Sequence, residues 1–146
     1  GTEETLLRRG GSLMKTVLFA CVHNAGRSQM AAAFFNAQAD PLLARAVSAG
    51  TEPATRVHPE VVDAMYELGV DLGGAVPQRL THELAREAAL LVTMGCGESC
   101  PAIPGLALED WPLSDPKGQS VDVVYAIRDE VRRRVTDLIE RNSWGR

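Results

Sequence analysis

The sequence lacks any hydrophobic run of the roughly 18 residues that a membrane span needs, since the first apolar stretch, Val17 to Val22, ends in a polar loop. No basic segment leads into a long apolar stretch, so no secretory leader is expected. Basic residues are not in excess. The 15 Lys and Arg are outnumbered by 19 Asp and Glu, and the net charge of −4 argues against a whole-surface nucleic-acid binder while leaving a local basic patch open. Glycine (13) and proline (8) are too few, beside 45% hydrophobic residues, for a disordered or fibrous chain. Three cysteines are too few and too odd in number for a disulfide framework. They point to a reducing cytoplasm, where thiols react or bind metal more often than they bridge. The three histidines, His23, His58 and His82, are scattered, so no metal site is expected.

What is present is an ordinary globular composition in 146 residues, the length of one domain with a buried core. Met14-Lys15-Thr16-Val17 resembles a start, so residues 1–13 are expected to be an extension and 14–146 the domain. Thr16 to Cys21 is a continuous apolar run that predicts a strand buried on both faces. A polar loop follows, and Ser28 stands before an Ala-rich helix that it is expected to cap. Asp40-Pro41 ends this helix, and Ala44 to Ala49 predicts a second strand. His58-Pro59 opens a helix with Val61, Val62, Met65 and Leu68 on one face and Gly69 as its stop. Val70 to Pro77 reads as an extended connection, and Thr81 caps a brief helix. Ala88 to Met94 predicts a third strand, Gly95 to Gly118 a long functional loop, and Val121 to Arg141 a final helix. The arginines of that helix alternate with acids, as on a solvated face. Strands alternating with helices predict a parallel sheet with helices on both faces, with ligands beyond the carboxyl ends of the strands.

Cys21 lies at such an end, in Cys21-Val22-His23-Asn24-Ala25-Gly26-Arg27-Ser28. Five residues between Cys and Arg let the chain curl so that successive N–H groups point inward at a tetrahedral oxyanion. The candidate oxyanion-binding residues are Val22, His23, Asn24, Ala25, Gly26 and Arg27. The helix N-terminus adds positive potential, and the planar fork of Arg27 grips two oxygens. The same amides and the Ser28 hydroxyl favour a thiolate on Cys21, a nucleophile for phosphorus or a similar centre. His23 either touches the anion or faces solvent.

From Val17 to Ala31 the sequence resembles the phosphate loop of the low-molecular-weight tyrosine phosphatase superfamily, which includes the thiol-dependent arsenate reductases. Asn24 to Ala31 is most similar to the arsenate reductase branch, and the likeness extends over the chain from Met14. It implies a four-stranded parallel sheet flanked by helices on both faces. It also implies that Asp115, in Asp115-Pro116, is the general acid that protonates the departing oxygen. Asp110 is a rival carboxylate without the proline. By the same resemblance, Cys96 attacks Cys21 after the arsenate adduct forms and Cys100 then attacks Cys96, with thioredoxin reducing the disulfide.

The close spacing of Cys96 and Cys100 leaves open an external thiol of mycothiol or glutathione type. Lys117 stands where tyrosine phosphatases carry an aromatic residue, which argues against phosphotyrosine. Ala32 stands where some staphylococcal-type reductases carry a potassium-holding Glu. The expectation is therefore a cytoplasmic arsenate reductase without metal or organic cofactor and without nucleic-acid or membrane partners. Phosphate and sulfate would compete with arsenate. A low-molecular-weight phosphatase is the alternative.

Overall fold

The structure is a computed structural model that describes residues 14–96, 100 and 103–146. The expected extension, residues 1–13, lies outside the described residues, as do 97–99 and 101–102 of the cysteine segment. Along the chain run β1 (Lys15–Cys21), α1 (Arg27–Gln38), β2 (Ala44–Gly50), α2 (Pro59–Glu67), α3 (His82–Glu87), β3 (Leu90–Thr93), β4 (Ala107–Asp110) and α4 (Val121–Asn142). The four strands pair in the order β2-β1-β3-β4, and every pairing is parallel.

Strand β1 is central, and its side chains divide by alternation. Val17, Phe19 and Cys21 face the core shared with α1, α2 and α4, while Leu18 and Ala20 face a smaller cluster with Ala85 of α3 and Leu91 of β3. A strand covered on both faces must be apolar at every position, which is why this run shows no alternation. Phe19 packs its ring 5.6 Å from Trp111 and 6.1 Å from Phe35, so β1, α1 and the segment after β4 share one aromatic contact. The chain end is tied in as well. Asp40 N–H donates to the Trp144 carbonyl at 2.8 Å, and the Trp144 ring lies 5.9 Å from Phe35.

Two expectations are corrected. Residues 95–118 are not one structureless loop, because Ala107–Asp110 forms β4 against β3, with Leu90 opposite Ala107. Ser28 does not cap α1: Gly26 holds the cap position without a side-chain bond, and Ser28 lies inside the first turn, fully buried. Thr81 does cap α3, accepting from Leu84 N–H at 3.1 Å. On α4 the apolar face is as expected, but Arg128 leaves the solvated set and is 6% exposed.

Candidate active site

Strand β1 delivers Cys21 to the carboxyl edge of the sheet, where its register partner is Gly50. Its thiol is free and nearly buried. The sulfur lies 2.8 Å from Ser28 Oγ, and Asn24 Nδ2 donates to that same oxygen at 2.7 Å. With its oxygen already accepting, Ser28 has its hydroxyl hydrogen left to point at the sulfur. That arrangement suits a thiolate.

Between Cys21 and α1 the chain makes a ring whose carbonyls all point outward. The carbonyls of Cys21, Val22, His23 and Ala25 accept from Thr51, Glu52, Ala54 and His58 N–H at 3.2, 2.8, 2.9 and 2.9 Å. The Asn24 carbonyl accepts from Gln29 Nε2 at 3.1 Å, and that of Gly26 from Met30 N–H at 3.0 Å. Among the described residues, no group accepts from the N–H of residues 22–26. Asn24, Ala25 and Gly26 are buried, and buried amides need partners, so the ring can take an acceptor that enters from outside. The absence of a side-chain cap on α1 has the same meaning: the first-turn amides stay available to an anion.

Asn24 sets the curl. It is fully buried at φ 51°, in the left-handed region that Asn tolerates better than most residues. Its Oδ1 accepts from Gln78 N–H at 2.9 Å and from Gln29 Nε2 at 3.2 Å. Gly50 stands behind it: a Cβ there would lie 2.6 Å from the Val22 carbonyl oxygen and 2.9 Å from Asn24 N.

Arg27 closes the ring and is 6% exposed. Its Nη1 donates to the Leu113 carbonyl at 2.8 Å, its Nη2 lies 3.8 Å from Asp115 Oδ2, and its buried Nε has no partner. The tether therefore occupies one corner of the guanidinium and leaves the Nε–Nη2 edge for a bidentate anion. Gly95 packs directly on Nη1, and any Cβ at that position would overlap it.

Asp115 reaches the ring from the segment after β4. Lys117 N–H donates to its Oδ1 at 3.0 Å, and His23 Nδ1 lies 4.0 Å from Oδ2. Pro116 sits over Gly26, where a Cβ would come within 2.8 Å of its Cγ. His58 borders the same loop, and burial lowers its pKa against the opposing pull of Asp115. The rival carboxylate, Asp110, instead accepts from Thr93 Oγ1 at 2.7 Å on β4.

Cys96 and Cys100 form a disulfide with Cα atoms 5.6 Å apart. Cys96 is 5% exposed, and its sulfur touches the carbonyl of Ala20 at 3.9 Å, one residue before Cys21. The structure thus brings Cys21, Ser28, Arg27 and Asp115 together and pairs Cys96 with Cys100, not with Cys21. Sequence reasoning missed Gln29, Gln78, Gly95, the Leu113 carbonyl and the outward clamp of residues 51–58. All of these act through backbone groups or a single amide, which leave no motif. Among the described residues, no group of three His, Cys, Asp or Glu side chains is placed to hold a metal, and no helix is long and apolar enough to cross a membrane.

A parallel sheet with a thiol at the floor of such a ring defines a class. Residues 16–143 match the low molecular weight phosphotyrosine protein phosphatase family, and the chain belongs to it. Within that class the similarity runs to reductases. The chain is 36% identical over 126 residues to a putative arsenate reductase of Halobacterium salinarum, covering 84% of this chain and 89% of that protein. It is 35% identical over 133 residues to the glutaredoxin arsenate reductase of Synechocystis, covering 89% of this chain and all of that protein. Among solved structures, a thioredoxin-dependent arsenate reductase of Corynebacterium glutamicum aligns with a TM-score of 0.77 at 35% identity, covering 96% of this chain and 71% of that one.

Proposed function

We propose that this protein reduces arsenate to arsenite. The observation that carries the proposal is the state of its thiols: Cys21 is free on the floor of the amide ring, while Cys96 is joined to Cys100. This is the thiol pattern that a three-cysteine relay leaves behind. The family relatives are named for the same reaction.

Arsenate enters the ring of residues 22–27 and takes the Nε–Nη2 edge of Arg27. The Cys21 thiolate attacks arsenic, forming an S–As bond. One As–O bond breaks, and Asp115 protonates the departing oxygen. The Cys96 thiolate then attacks the Cys21 sulfur. An S–S bond forms, the S–As bond breaks, and its electron pair stays on arsenic, which leaves as arsenite. Cys100 attacks Cys96 and releases Cys21 as a thiolate. A dithiol of thioredoxin type returns the Cys96–Cys100 disulfide to two thiols, and phosphate and sulfate compete for the ring. The unit is residues 14–146, it works in the reducing cytoplasm, and Lys117 beside Asp115 offers no aromatic wall for phosphotyrosine.

A single-turnover thiol map tests this. Fully reduced protein is mixed with arsenate, alkylated and analysed by mass spectrometry. The expected result is one Cys96–Cys100 disulfide and one equivalent of arsenite per chain. Three free thiols, or an adduct held on Cys21 alone, would overturn the internal relay. Arsenite appearing only with added mycothiol or glutathione would assign the external-thiol route, and phosphate-ester turnover without arsenite would assign a phosphatase.

A further inference from the structure

A general acid must hold a proton, and Asp115 is surrounded by donors and cations. Lys117 N–H donates to Oδ1 at 3.0 Å, while Arg27 Nη2 and His23 Nδ1 lie 3.8 and 4.0 Å from Oδ2. These neighbours differ in what they can release. An arginine guanidinium is a hydrogen-bond donor and not a source of protons, and Lys117 offers a backbone amide. His58 also faces this loop, but its pKa is lowered by burial, against the attraction of Asp115 and Glu60 and with help from Lys117 and His23. His23 remains. Its carbonyl is fixed by Ala54 N–H at 2.9 Å, so its backbone is held while its side chain reaches toward Asp115. It is 39% exposed beside an Asp115 that is 38% exposed, so both groups meet solvent.

We propose that His23 supplies the proton that Asp115 delivers to the departing oxygen. This rests on the reading of the site given above, and it makes His23 a positioning residue that acts through Asp115. An oxyanion in the ring takes the Nε–Nη2 edge of Arg27 and repels the Asp115 carboxylate from it. Rotation of either exposed side chain, or one bridging water, closes the gap to His23. The imidazolium Nδ1–H passes its proton to Asp115 Oδ2, leaving a neutral imidazole. Asp115 gives that proton to the oxygen as its bond to the central atom breaks, and returns to a carboxylate. Solvent reprotonates His23, so one proton enters per oxygen expelled and no electrons move in this step. Asp115 faces His23 directly, Arg27 of α1 lies against the same Asp115 oxygen, and His58, just before α2, interacts with His23, with Glu60 and Lys117 grouped around His58.

The first measurement is the NMR titration of the His23 imidazole in the reduced full chain. Asp115→Asn should move that midpoint, the mark of a carboxylate paired with the imidazole. The second is the pH profile of arsenate reduction. Relative to wild type, His23→Gln and His23→Asn should lose roughly tenfold in kcat/KM near pH 6, with the loss shrinking at higher pH. His82→Gln, exposed on α3, should keep the wild-type profile. A His23 midpoint indifferent to Asp115→Asn, or variant profiles parallel to wild type, would overturn the inference. Absence of arsenite from the wild type would instead overturn the functional reading, and the titration, which needs no arsenate, would still judge the His23–Asp115 pair.

Discussion

Arg27 shows how much of this site is set by residues with no chemistry of their own. Its guanidinium is fixed by the Leu113 carbonyl on one side and by the bare Cα of Gly95 on the other. Gly95 has φ +94°, a conformation that glycine adopts without steric cost, and it immediately precedes Cys96. Gly95→Ala must therefore displace Nη1 and rotate the free Nε–Nη2 edge away from the ring. The expected result is a phosphate Kd raised about tenfold, the equivalent of one charge-assisted hydrogen bond of ~1.4 kcal/mol. Backbone strain alone would weaken binding whatever stands at position 27. Calorimetry should therefore show the Gly95→Ala penalty disappearing in an Arg27→Ala background, and a penalty that persists there would rule out action through the guanidinium.

Elements were readable in the sequence where burial imposed a pattern, and unreadable where it did not. β1 stood out because a strand covered on both faces must be apolar throughout, and α2 because a one-sided helix repeats its apolar residues every three or four positions. β4 did not, because Ala107-Leu108-Glu109-Asp110 is an edge strand whose residues are mostly exposed and carry no alternation. The reactive loop was visible in Cys21, Arg27 and Ser28, but a Ser ahead of an Ala-rich run reads as a cap, whereas the fold buries Ser28 in the first turn against the Cys21 sulfur. Arg128 was hidden for a different reason. An arginine among acids reads as surface, yet its Nη1 donates at 2.9 Å to the Ala64 carbonyl, near the end of α2, while its guanidinium lies 4.4 Å from the Tyr125 ring. It thus satisfies a carbonyl of the last helical turn and places positive charge at that helix's C-terminus. Arg128→Met keeps the stem but strands the carbonyl. Denaturant unfolding should show a loss of about 1–3 kcal/mol, the cost of an unsatisfied buried acceptor. An unchanged midpoint would mean that water replaces the guanidinium.

At the scale of the molecule, the site belongs to no single element. The ring 22–26 follows β1, its outward clamp 51–58 follows β2, Met94 to Cys96 follows β3, and Trp111 to Pro116 follows β4. Parallel pairing sends all four carboxyl ends to one edge, so the ring proposed to hold the oxyanion is braced by segments spread from residue 21 to residue 115. A ligand bound there stabilises the folded chain as a whole, because unfolding any of these segments dismantles the ring. Phosphate at a hundredfold excess over its Kd should contribute about 2.7 kcal/mol. For a chain of this length that corresponds to a rise in Tm of roughly 5–10 °C. Potassium chloride at matched ionic strength should not reproduce the rise, since screening acts on surface charge and not on inward amides. Arg27→Ala should remove most of it without altering the unliganded Tm by a comparable amount, because the guanidinium's own tether is one bond to Leu113. An equal rise with chloride, or an undiminished rise in Arg27→Ala, would place the stabilising anion elsewhere on the surface and separate the ring's geometry from its binding.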